Sequence, residues 1–194
     1  MTVHDEIVLK LTELNKDGSI YLKQLLPSSF TEPLNYRLES SSRMYDNSTI
    51  SHRAIRPDIV VFFSETKTES EIPYANPPIN GYAIEIENDI QWDFARSLQQ
   101  IKDYFQGYYP IVLIPKIYER FKRLYEHEGI TTWLWTADRV WECMECGHQM
   151  ESSLTGMPKH TKNPKNKSCN SRQIRLKGIK NLVLERDDNK IVIK

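Results

Sequence analysis

The sequence carries no net charge: Lys and Arg total 26 against 26 Asp and Glu, so overall electrostatics names no partner. No apolar run approaches the roughly 18 residues that would mark a membrane-spanning helix. The opening Met-Thr-Val-His-Asp-Glu lacks a basic segment followed by an apolar one, so no export signal and no membrane association are expected. Cysteine is scarce. Its odd count of three, clustered at Cys143, Cys146 and Cys169, excludes a fully paired disulfide framework and suits metal binding in a reducing compartment. No internal repeat is visible. A soluble, cytoplasmic protein is the expectation.

At 194 residues the chain can bury one core and carry a small appendage. Ile7, Val8, Leu11 and Leu14 stand at helical spacing with Asp5 able to cap the start, and Asn15-Lys16-Asp17-Gly18 then breaks the pattern. Asn35 to Ser40 alternates as a first strand. Pro57 to Phe63 and Gly81 to Asp89 are β-branched and aromatic runs that read as buried strands, separated by a polar loop. A helix capped by Asn88 or Asp89 is predicted to run to about Gln106, with Phe94, Leu98, Ile101 and Phe105 as its apolar stripe. A strand at 108–114, an amphipathic helix over 116–128 (Ile117, Phe121, Leu124, Tyr125) and a strand at 130–135 follow. This α/β order predicts a mixed β-sheet core flanked by helices over 1–138. A small β-rich element at 139–178 and a hairpin over 179–194, turning at Asp187-Asp188-Asn189, complete the expected organisation.

Acids interrupt the two buried strands. Asp58 opens the first, while Glu85 and Glu87 project from one face of the second because side chains alternate along a strand. Carboxylates converging at a sheet edge repel unless a cation lies between them, which points to a divalent-metal site. Pro57-Asp58, then Glu85-Ile86-Glu87, then a helix bearing Gln100-x3-Tyr104 resembles the PD-(D/E)xK (restriction-endonuclease-like) nuclease superfamily, in its RecB-like branch, over roughly residues 55 to 115.

That resemblance implies a metal-dependent deoxyribonuclease in which Asp58, Glu85 and the carbonyl of Ile86 hold Mg²⁺ or Mn²⁺. It departs at one position: Glu87 stands where the family has lysine, and would act as general base or second-metal ligand. Arg96, Gln100 and Tyr104 recur every four residues and share one helix face, so Arg96 is the candidate to face the phosphate, whereas Lys102 points elsewhere. The first-helix glutamate of the family corresponds to Glu6 or Glu13.

Cys143-Met144-Glu145-Cys146-Gly147-His148 has the Cys-x2-Cys-Gly form of a zinc knuckle, and residues 139 to 178 resemble a zinc ribbon. Cys169 is the third ligand and a histidine the fourth, His160 in preference to His148. Lys159, Lys162, Lys165, Lys167, Arg172, Arg175 and Lys177 lie in or beside that element without an acid among them, a basic stretch suited to the nucleic-acid backbone. The leading expectation is a DNA nuclease with a structural zinc, a homodimer being the assembly left open. The alternative is a nuclease-like fold without catalysis that binds nucleic acid or acts as a scaffold through its zinc ribbon.

Overall fold

A computed structural model describes residues 2–27, 34–38, 57–63, 81–103, 108–152, 169 and 173–194. In chain order its elements are α1 (Val3–Thr12), a 3-10 helix (Tyr21–Leu25), β1 (Leu34–Leu38), β2 (Ile59–Phe63), β3 (Gly81–Ile86), α2 (Phe94–Asp103), β4 (Tyr109–Pro115), a second 3-10 helix (Lys116–Phe121), α3 (Lys122–His127), β5 (Thr131–Cys143), β6 (Gln149–Ser152), β7 (Ile174–Arg186) and β8 (Asn189–Ile193). No helix among the described residues is long and apolar enough to cross a membrane. The chain forms two compact units, Leu22–Leu134 and the pair of segments Met1–Tyr21 and Trp135–Lys194.

In the first unit the mixed α/β architecture follows the hydropathy. β1, β2 and β3 form an antiparallel meander, and α2 then carries the chain back so that β4 pairs with β3 in parallel. The order is β1-β2-β3-β4-β5. Ala83 and Ile84 are both fully buried although they point to opposite faces, as a strand covered on two sides requires. Ala83, Val112 and Ile114 of the sheet meet Ile101 of α2 and Tyr125 of α3 in one core, with Phe94 and Leu98 packed at its margin.

Two helices differ from expectation. Asp89 caps a turn rather than the helix, its Oδ1 accepting the Gln91 N–H at 3.0 Å, and α2 starts only at Phe94, where the Ser97 N–H reaches the Asp93 carbonyl at 2.9 Å. The single helix expected over 116–128 is instead a 3-10 helix kinked at Tyr118 (φ −104°, ψ 20°), followed by α3 from Lys122. Three residues per turn followed by 3.6 shifts the apolar phase. Ile117 and Leu124 therefore face solvent while Tyr125 is fully buried.

In the second unit Thr2, not Asp5, is the N-cap of α1; Asp5 completes a capping box by accepting the Thr2 N–H at 2.8 Å. Ile7, Val8 and Leu11 form the buried face of α1, but Leu14 lies past the helix in a bridge with Ile20 and is 70% exposed. β5 does not stop at Trp135: buried Ala137, Arg139 and Val140 carry it on to Cys143. β7 pairs with β5 and with β8, and β6 pairs with the end of β5. The terminal hairpin turns on Asp187-Asp188, with Asp187 at φ +52° and Asn189 already paired to Arg186.

Candidate metal centres

Asp58, Glu85 and Glu87 all lie in the first unit. β2 and β3 pair with Ile59 opposite Ile84; Asp58 stands one residue before β2, while Glu85 follows Ile84 within β3. Both acids are partly buried. Asp58 Oδ2 accepts the Ile86 N–H at 2.7 Å, which ties the start of β2 to the end of β3. Glu85 Oε1 accepts from Gln100 Nε2 on α2 at 3.0 Å, so two of the expected site residues meet.

Glu87 stands one residue beyond β3, its N–H still donating to the Leu113 carbonyl of β4 at 2.9 Å. Its carboxylate accepts the hydroxyl of Ser97 on α2, and Ser97 Oγ lies 2.7 Å from the Tyr125 hydroxyl of α3. Burial holds the Tyr125 phenol far above its ordinary pKa; the Ser97 hydrogen bond opposes this, and the Glu87 and Glu85 charges add to it. Tyr125 therefore stays a protonated donor.

Arg96 is exposed on α2 one turn before Gln100, and Lys102 turns away to pair with Glu128 at 2.7 Å. Tyr104 lies outside the described residues. Of the first-helix acids, both in the other unit, Glu6 lies against Gly178 of β7 and Glu13 pairs with Lys10 at 3.1 Å. Ser97 and Tyr125 were not singled out in the sequence. One signal was available: Ser97 is a polar residue standing between Phe94 and Ile101 on the apolar stripe of α2, where an unpartnered hydroxyl would be costly.

No family model, curated protein or solved structure matches this chain. The chemistry is therefore read from the side chains themselves. Asp58, Glu85 and Glu87 offer only hard oxygen donors, but their carboxylates do not form a converging group of three as the cysteine thiols do among the described residues.

The second centre lies in the other unit. The Sγ atoms of Cys143, Cys146 and Cys169 all lie within 4.8 Å of one another, so this cluster could hold a metal ion. Cys143 and Cys169 are 3.8 Å apart, too far for a disulfide and close to the roughly 3.8 Å edge of a tetrahedron with 2.3 Å metal–sulfur bonds. The loop is shaped for thiolates. Gly147 at φ +65° returns its N–H to the Cys143 carbonyl, and Cys143 N–H donates to the His148 carbonyl, both at 2.9 Å. The backbone N–H groups of Cys146 and then Glu145 bond the Cys143 sulfur and hold its pKa below the ordinary thiol value.

His148 is not part of the converging group, and His160 lies outside the described residues, as do Lys159, Lys162, Lys165, Lys167 and Arg172. Of the expected basic stretch, Arg175 and Lys177 are described. They share Glu142, at 2.7 Å and 3.3 Å, and their hydrogen bonds hold its carboxyl below the usual range.

Proposed function

We propose that the unit Leu22–Leu134 is a metal-dependent nuclease that hydrolyses phosphodiester bonds in DNA. Asp58 and Glu85 would hold Mg²⁺ or Mn²⁺ with the Ile86 carbonyl as a third donor, and Glu87 would accept the proton of the attacking water. The observation that carries this reading is the 2.7 Å bond from the Ile86 N–H to Asp58 Oδ2, which brings that carboxylate to the strand position next to Glu85. Like charges held close together are destabilising. A divalent cation between them turns that repulsion into binding energy.

When bound, the ion polarises the scissile phosphate and acidifies its water. The chain fixes the geometry: the Ile86 N–H holds Asp58, Gln100 holds Glu85, and Ser97 holds Glu87. Water forms its bond to phosphorus as the bond to the leaving oxygen breaks; Glu87 takes the water proton, and solvent protonates the leaving oxygen. Arg96, exposed one turn before Gln100, is the residue of α2 we assign to the phosphate. The meander, helix and parallel strand around these residues supply the strand–strand–helix context on which the nuclease resemblance rests.

In the other unit we assign a structural Zn²⁺ to Cys143, Cys146 and Cys169, with His160 or His148 as fourth ligand. The 3.8 Å thiol separation and the bonds from backbone N–H groups to sulfur support this. The basic residues of the segment would hold the DNA backbone without sequence preference.

Incubation with labelled linear, branched and single-stranded DNA and Mg²⁺ or Mn²⁺ tests the reading. Cleavage that EDTA or Glu85→Ala abolishes is expected. No cleavage of any substrate, together with salt-sensitive binding, would sink the enzyme and leave the non-catalytic nucleic-acid-binding alternative.

A further inference from the structure

Ser97 is only 7% exposed and Tyr125 is fully buried, yet both place hydroxyls in the interface between helices and sheet. A helical serine commonly turns its hydroxyl back on its own helix. Ser97 instead reaches across to Glu87 on the far side of the β3–α2 connection, and Tyr125 meets it from α3. Valine at 97 and phenylalanine at 125 would fill the same space without two polar groups to satisfy.

The direction of the chain follows from counting protons. An ionised carboxylate only accepts, so the single Ser97 proton goes to Glu87. The Ser97 oxygen must then accept, and Tyr125 donates. The result is a one-way series, Tyr125 O–H to Ser97 O–H to Glu87, in which each bond polarises the next. Backbone pairing of Glu87 with Leu113 fixes the other end of that side chain.

We propose that Ser97 and Tyr125 are positioning residues whose hydrogen-bond chain locks the Glu87 carboxylate in the orientation from which it meets the attacking water. This rests on the nuclease reading for what Glu87 does, but not for whether the chain holds it. In that role the pair substitutes for the self-orienting charge of the lysine that the resemblance expects at this position.

Threonine and valine at 97 are nearly isosteric and differ by the hydroxyl, so their comparison separates positioning from packing. The carboxyl-carbon NMR signal of Glu87, in glutamate-labelled protein at fixed pH 8 and assigned with Glu87→Gln, reads the chain directly. A wild-type signal displaced from those of solvated glutamates is expected, retained in Ser97→Thr, lost in Ser97→Val and partly shifted in Tyr125→Phe. In the cleavage assay Ser97→Val should lower kcat about 10- to 100-fold at nearly unchanged KM, the scale of a misplaced reacting group. Ser97→Thr should restore it. Identical Glu87 signals in the threonine and valine variants would overturn the proposal. A wild-type protein that cleaves nothing would sink the nuclease reading alone, with the spectra still deciding whether the chain holds Glu87.

Discussion

Replacing Glu85 with glutamine should stabilise the metal-free protein and destabilise it relative to wild type once Mn²⁺ is added. The substituted amide keeps an oxygen to accept from Gln100, so the bond to α2, 3.0 Å in the wild type, survives while the charge goes. The Asp58 carboxylate accepts the N–H of the residue next to Glu85, and two like charges at about 5 Å repel by roughly 1 kcal/mol in water and about 3 kcal/mol at an effective dielectric constant of 20. Partial exposure of both groups places the gain towards the lower figure, about 1 kcal/mol, or about 2–4 °C in Tm for a chain of this size. A cation at 100 times its dissociation constant adds about 2.7 kcal/mol to wild type alone, so the order reverses by roughly 2 kcal/mol. Thermal melts in EDTA and in Mn²⁺ measure both signs. A Glu85→Gln protein less stable than wild type in EDTA, with no Mn²⁺ shift in either, would refute the claim that these acids share a cation site.

Three further outcomes follow from the geometry. Cys143→Ser should reduce bound zinc from about one equivalent to below about 0.1, measured by elemental analysis of purified protein, since structural sites bind tightly; equal zinc in both proteins would discard the assignment. Gly81→Ala should cost more than about 1 kcal/mol in urea unfolding, because a Cβ there would lie 2.7 Å from the Val61 carbonyl oxygen and 3.0 Å from the Tyr108 ring. The Glu128 carboxyl is held below its ordinary pKa of 4.5 by the hydrogen bond and then the charge of Lys102. Its contribution to stability is thus complete above about pH 4.5 and lost as pH falls through the lower folded value, and Glu128→Gln should remove that segment from an acid titration of stability.

The sheet was legible because its strands are β-branched runs bounded by turn residues, and Asp58 and Glu85 stood out because acids are costly there. What sequence left hidden was set by distant partners. Tyr118 kinks the predicted helix, and its hydroxyl donates to Asp89 at 2.8 Å, an anchor some thirty residues back in the chain that no local propensity reports. The expected end of β5 at Trp135 reflected the polar Thr136, Asp138 and Arg139. Burial of Arg139 beneath the continuing strand keeps the alternation alive, its guanidinium 5.8 Å from the Trp135 ring. Glu87 could be found from its spacing and Ser97 from its polar place on an apolar stripe, but their link to Tyr125 becomes visible only when α2 and α3 are packed on β3.

That surrounding chain bears on the residue that departs from the nuclease pattern. If Glu87 were simply a lost lysine, Glu87→Lys should raise activity above that of the wild type. The hydrogen bonds say otherwise. An ammonium group donates and cannot accept, so the Ser97 hydroxyl proton would lose the carboxylate acceptor it has in the wild type and would have to turn elsewhere, back onto its own helix or towards Tyr125. Burial also opposes the added cation, although the acids at 58 and 85 would partly offset it. The site around position 87 is therefore built for an acceptor. Glu87→Lys is expected to melt below wild type in EDTA and to cleave no better than Glu87→Gln in Mn²⁺. A lysine variant that melts normally and cleaves at the wild-type rate would mean that Tyr125 and Ser97 only fill space, and that any residue able to bind water suffices at 87.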